Sequence, residues 1–344
     1  MERLLRIATC LAECGYGAQV GQLAATARAF RADAQLWAAH ARHKGRKGRT
    51  LLMRAACTGN VDRVVFLLER GADVEAVEAR FGVSALMFAC RAGRCEAARV
   101  LAERGGANVS ASSATDCKTA LMWASMNGHL EIVRFLVERG GVDVNAARTT
   151  DGMTALMLAS WKGHLEIVRC LVERGGANAN AARTDDGTTA LIWASLQGNL
   201  EIVRCLVERG GANANAAMTN GFTVLMWACQ EGHKKIACFL VERGGANVNA
   251  ARTTDGKTAL MWASEKGHLE IVRFFVERGG ANVNAVRTVN GFTALMYAGR
   301  DGHLETVRLL LQRGADRRAR DHSGRSARDL AASHPLVQAL FKSR

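Results

Sequence analysis

No stretch of this sequence approaches the roughly 20 consecutive apolar residues that a membrane span needs, and no leader with a charged start, an apolar centre and a cleavage site opens it. Both absences lead to an expectation of the cytoplasm or nucleus. Ten cysteines are present, but no two form a C-x-x-C, which excludes the spacings of zinc ribbons and dithiol redox centres. Cys90 with Cys95 and Cys229 with Cys238 have neither the interval nor the companion ligands of such a site. Cys170 and Cys205 stand where Phe135 and Phe274 stand elsewhere, which marks them as small apolar core residues in a reducing compartment. A glycine-rich phosphate loop, a nucleophile elbow and a paired acid and base are also missing. No enzyme activity, catalytic residue, cofactor or metal is therefore expected.

Negative charge is the scarcer sign: 32 Asp and Glu face 46 Lys and Arg, a formal net charge of +14. Such an excess suggests nucleic acid or an acidic membrane surface until the charges are located. Residues 1–50 hold nine Lys and Arg against three Asp and Glu, residues 313–344 hold eight against three, and the long middle holds 29 against 26. The excess sits at the ends. A phosphate-binding groove would need a basic stripe along the middle, where Glu131, Arg134, Glu138 and Arg139 show the two signs in balance. Nucleic acid is thus the weaker reading, confined to the basic termini, and no membrane partner is expected.

Glycine is plentiful, and its spacing carries the organisation. A landmark glycine recurs at Gly48, Gly82, Gly152, Gly187, Gly221, Gly256, Gly291 and Gly324, with Cys117 once in its place, at steps of 33 to 35 residues. A period of that size marks a stacked array. Within one unit, Thr154 precedes the apolar run Ala155-Leu156-Met157-Leu158-Ala159-Ser160 and can cap its amides, while Gly163 stands where this short helix A must stop. Leu165 to Arg174 then has apolar residues at helical spacing, with Gly175-Gly176 as terminator, which predicts an amphipathic helix B. The small polar residues from Ala177 to Gly187 read as a turn or finger leading to the next pair.

These residues resemble the ankyrin-repeat family over roughly residues 44–344. The resemblance rests on G-x-T-x-L, on the Gly-His-Leu-Glu-Ile-Val-Arg core at Gly163–Arg169, and on Ala281-Asn282-Val283-Asn284-Ala285 after helix B. It departs from the family where T-P-L-H becomes Thr119-Ala120-Leu121-Met122, losing the proline at the first helical position and the histidine that would bond the threonine. The inner units also carry a second glycine, such as Gly140-Gly141, and a finger one residue longer. The resemblance implies an all-α solenoid of about eight helix-turn-helix repeats over residues 44–320, closed by a polar C-terminal half-repeat at 321–344. Pro335, the only proline, lies beyond the first helix of that half-repeat.

Residues 1–43 do not follow the period and read as a small helical module. It can be a cap over the first repeat. Alternatively, Leu23 to Trp37, preceded by Leu4 to Leu11, resembles an F-box without its opening Leu-Pro. That resemblance implies that residues 1–40 dock on the linker subunit of a cullin-type ubiquitin ligase, with the repeats as substrate receptor. The basic stretch 42–49 is a solvated joint or a nuclear-import signal.

His129, His164, His233, His268 and His303 fall in the same Gly-His turn of their units. With no carboxylate or thiol beside them, they are expected to tidy that turn rather than to bind metal. Variation between units is more telling, because stacking fixes the framework positions and leaves the exposed ones free to differ. The residue after the landmark glycine changes from unit to unit, as does the pair closing helix A. In the ankyrin family these positions line a concave face, so the resemblance implies a non-catalytic scaffold that holds an unknown protein partner there. The expected contacts are Lys118, Met126, Met153, Trp161, Lys162, Leu196, Phe222, Gln230, Lys257 and Phe292. They centre on Met153, Trp161, Phe222 and Phe292, taken as exposed anchors. A second row, Phe88, Trp123, Leu158, Trp193, Trp227, Trp262 and Tyr297, is either packing between helix pairs or an aromatic ladder facing a ligand.

Overall fold

Each unit begins as its threonine predicts. Thr154 is extended, and its hydroxyl accepts the Met157 amide at 3.3 Å. This fills one of the donors that a helix start leaves open. The same bond recurs from Thr50, Ser84, Thr119, Thr189, Thr223, Thr258, Thr293 and Ser326. Methionine has replaced the expected histidine, and in two units its sulfur closes the cap: the Thr50 and Thr223 amides donate to Met53 and Met226 Sδ at 3.4 and 3.5 Å.

The computed structural model describes residues 48–139 and 141–341. The N-terminal module 1–43, with its F-box-like stretch, lies outside them, as do residues 42–47 of the basic joint. Among the described residues there are eighteen helices and no strand. Eight pairs follow one another: α1 (Leu51–Thr58) and α2 (Val61–Glu69), α3 (Ala85–Arg91) and α4 (Cys95–Glu103), α5 (Ala120–Met126) and α6 (Leu130–Arg139), α7 (Ala155–Lys162) and α8 (Leu165–Glu173). Then come α9 (Ala190–Leu196) and α10 (Leu200–Glu208), α11 (Val224–Gln230) and α12 (Lys234–Glu242), α13 (Ala259–Glu265) and α14 (Leu269–Glu277), α15 (Ala294–Arg300) and α16 (Leu304–Gln312). A shortened ninth pair, α17 (Ala327–Leu330) and α18 (Pro335–Leu340), ends the array, with the lone proline at a helix start that has no use for its amide hydrogen.

The chain divides into two compact units, one ending at Ala124 and one spanning Ser125–Arg344. In the second, helix A is nearly all core: every residue from Ala155 to Ser160 is buried. Helix B contributes one face, where Ile167, Val168 and Leu171 are buried while Glu166 and Arg169 meet solvent. The finger folds back on the next cap through a single antiparallel β-bridge, as between Ala147 and Thr154 or Ala182 and Thr189.

The doubled glycine has a steric cause. A Cβ on Gly175 would lie 2.8 Å from the Leu171 carbonyl oxygen and 3.1 Å from Val144 Cγ1, so only glycine lets the preceding finger pack on the helix end. Gly176 then takes a left-handed φ of 61°.

Neighbouring pairs are stapled by asparagine. Asn180 Oδ1 accepts the Asn213 amide at 2.8 Å while its Nδ2 donates to the Gly211 carbonyl at 3.0 Å. Asn215, Asn249 and Asn284 repeat both bonds with the units that follow them. The Ala-Asn-x-Asn signature therefore couples repeats rather than merely forming a turn. Cys90, Cys170, Cys205 and Cys229 are buried, and burial pushes their thiols up. Among the described residues no helix is long and apolar enough to cross a membrane.

Candidate protein-interaction face

Residues of the two variable rows touch where the fingers fold over helix A: Lys257 pairs with Glu265, and the Arg300 guanidinium lies 6.0 Å from the Phe292 ring centre. Phe222 follows its landmark glycine and packs between Trp227 of its own unit and Trp262 of the next, with ring centroids 4.6 and 5.3 Å away. Lys257 does the same one unit on: its Nζ lies 3.2 Å from the centre of the Trp262 ring and 4.5 Å from that of Tyr297. Phe292 meets the edge of Tyr297 at 5.2 Å. Phe222 and Lys257 thus insert between successive members of the helix A row, and Phe292 packs on the member of its own unit.

This insertion corrects an expectation. Met153, Phe222, Lys257 and Phe292 are buried, at 7, 4, 4 and 6% exposure, and are not exposed anchors. The chain turns back at the landmark glycine, so the next side chain reaches the aromatic surface before it reaches solvent. Phe88, Leu158 and Tyr297 of the helix A row are buried as packing, whereas Trp193, Trp227 and Trp262 are only half-buried and keep part of their rings open. Buried indole nitrogens of those three tryptophans have no hydrogen-bond acceptor among the described residues.

At the end of helix A the side chains are partly open to solvent. Trp161, Met126, Leu196 and Gln230 are half-buried and Lys162 is exposed. The Trp161 ring stacks obliquely on Trp193 at 5.6 Å, and Lys162 Nζ sits 3.9 Å from the Trp161 ring centre. In the compact unit ending at Ala124, Lys118 is half-buried, held by Asp116 at 2.9 Å and lying 4.4 Å over the Trp123 ring.

A charged cluster ties the finger before α13, which holds Arg252 and Asp255, to the finger before α15, which holds Arg287. Asp255 receives both Arg252 and Arg287, and Arg287 also donates to the Tyr297 hydroxyl at 2.9 Å. Burial alone would raise the Asp255 carboxyl, but hydrogen bonds from Arg252, the Lys257 amide and Arg287 outweigh it and hold the pKa at about 2. Burial lowers the Lys257 ammonium against the opposing pull of its bond to Glu265. Every cation here is already paired or stacked, so the cluster is suited to stiffening the finger rather than to proton transfer.

The histidines also have a defined task. His164, His233, His268 and His303 each direct Nε2 at a carbonyl of the preceding unit, those of Met126, Leu196, Gln230 and Glu265, at 2.8 to 3.3 Å. A carbonyl accepts only, so Nε2 carries the proton. The ring tidies the previous unit's helix end, not its own turn, and His334 does so for Arg300.

The profile described as ankyrin repeats (3 copies) matches residues 22–113, 106–183, 175–252 and 245–321. The chain is an ankyrin-repeat protein. A comparison with curated proteins finds no match. Ankyrin repeats generally mediate protein–protein interaction, and the family is typically non-catalytic. On these ankyrin repeats the sequence reading missed exposed apolar residues in the fingers, among them Val286 and Val289 at 54 and 60% exposure. A signal was present: Val286 stands where other fingers have Ala147, Ala182 and Ala251, and Val289 where they have Thr150, Asp185 and Thr254.

Proposed function

We propose that this ankyrin-repeat protein is a non-catalytic scaffold that holds a segment of a protein partner on the helix A and finger side of Ser125–Arg344, the concave face in family terms. The observation that carries this reading is the run of part-open tryptophans: Trp193, Trp227 and Trp262 at one position of successive repeats, with Trp161 three residues beyond that position in the preceding repeat and stacked on Trp193. Flat, rigid aromatic surface that is only partly covered is the usual anchor of a protein interface. Lys162, Met126, Leu196 and Gln230 border it and can supply the adaptable contacts.

The buried Phe222 and Lys257 act behind this surface by packing against the rings of Trp227 and Trp262. The test is affinity capture with quantitative mass spectrometry, using the wild type and a Trp161→Ala, Lys162→Gln variant. Loss of an anchor of this type weakens a complex by about 2 kcal/mol or more, a tenfold or larger drop in recovery at limiting bait. Recovery of the same partners at wild-type yield would refute the assignment, provided thermal melting shows the variant folded.

A further inference from the structure

One outer helix departs from the array. Helices α8, α10 and α14 begin Leu-Glu-Ile-Val-Arg, but α12 begins Lys234-Lys235-Ile236-Ala237-Cys238. Ile236 and Ala237 stay in the core, while Lys234 and Lys235 are exposed and Cys238 is half-buried. Cys238 stands where Arg169, Arg204 and Arg273 stand in their helices. Replacing a long guanidinium side chain by a thiol leaves space, and a groove of about 440 Å³ opens between α10 and α12.

The groove has an apolar floor of Leu200, Phe239 and Cys238. Around it stand Arg204, Lys234, Lys235 and Arg243, with Glu242 as the single lining carboxylate. Lys234 is bridged to Glu270 at 2.9 Å and Arg204 lies 3.6 Å from Glu201, but among the described residues Lys235 and Arg243 form no ion pair. The space between α8 and α10 provides an internal control. It measures about 140 Å³, balances Arg169, Arg204 and Arg209 against Glu173, Glu201 and Glu208, and is crossed by the Arg209–Glu173 pair at 3.0 Å. Of these two spaces, the one at the sequence break is both the more open and the cationic one.

We propose that the α10–α12 groove docks an acidic protein segment, with one apolar side chain seated on Phe239 and Leu200 and flanking carboxylates set against Lys235, Arg243 and Arg204. Opposite charges across such a site direct register and exclude wrong partners. The apolar floor gives a reason for a side chain to enter. A nucleic acid backbone fits less well, because its phosphates would continue past the groove toward Glu201 and Glu208 on one flank and Glu270 on the other. The positive field is local, suited to a few carboxylates. This surface lies on helix B, whereas the proposed scaffold face is built from helix A and the fingers.

The experiment is fluorescence anisotropy on the full chain with three labelled probes: a short peptide of Asp and Glu with one central Phe, its Phe→Ser counterpart, and a single-stranded oligodeoxynucleotide of equal charge. Cys238→Arg refills the groove with the residue its neighbours carry, and Lys235→Gln with Arg243→Gln removes the unpaired cations. Each change, and the Phe→Ser peptide, is expected to weaken binding by about tenfold. The Trp161→Ala, Lys162→Gln variant binds as the wild type does, and melting curves establish that all variants fold. The proposal is overturned if the wild type does not bind the Phe peptide, or if Cys238→Arg and the glutamine pair leave its binding unchanged. It is equally overturned if the oligonucleotide binds as tightly and with the same sensitivities, since the groove would then take polyanions generally.

Discussion

Asp255 sits in its finger with two guanidiniums on its carboxylate, and the pH dependence follows from that pairing. Its folded pKa of about 2 lies below the value of about 3.9 for an unfolded chain. A depressed carboxyl stabilises the fold above the unfolded value and loses that contribution as pH falls through the folded one. The loss therefore runs from about pH 4 to about pH 2 and amounts to on the order of 2 kcal/mol. Chemical denaturation of Asp255→Asn across that range should show a lower plateau at neutral pH and a shallower acid fall than the wild type. Cys117 is the opposite kind of residue. It replaces the landmark glycine at φ 49°, the one non-glycine left-handed residue among those described. A side chain there is strained, so Cys117→Gly should raise stability by about 0.5–1 kcal/mol in urea titrations, even after the added freedom of glycine in the unfolded chain.

At the scale of the element, helix A is held almost entirely by burial and helix B by one face. Leu156 and Leu171 are 1 and 0% exposed, and truncating either to alanine should cost about 2–5 kcal/mol in equilibrium unfolding. Phe222→Ala falls in the same class, because the ring is enclosed by two tryptophans, and it is no clean probe of binding. The sequence makes the helix pairs legible because their signals are local: a capping hydroxyl at Thr154, a left-handed stop at Gly163, apolar spacing from Leu165 onward. The burial of Phe222 and Lys257 was not legible in the same way. It depends on what the next unit, about 35 residues on, places opposite: Trp262 for Phe222 and Tyr297 for Lys257. The reach of His303 to the Glu265 carbonyl is likewise a contact between units that spacing within one unit cannot reveal.

At the scale of the whole molecule, charge and variation separate into different places. Most of the net charge of +14 comes from the two ends, while the middle carries nearly equal numbers of each sign. Within Ser125–Arg344 many helix B charges pair, either within one helix, as Arg169 does with Glu166, or between units, as Arg209 does with Glu173 and Arg313 with Glu277. Such exposed pairs add little stability singly, whereas at α12 Lys235 and Arg243 form no ion pair among the described residues. Partly open aromatic surface lies instead on helix A. Hydrogen–deuterium exchange of the chain with and without a captured partner tests that assignment most directly. Partner-dependent protection is predicted at the fingers and at Ala155–Lys162, Ala190–Leu196, Val224–Gln230 and Ala259–Glu265. Protection confined to the outer helices, with those segments exchanging as in the free chain, would contradict it.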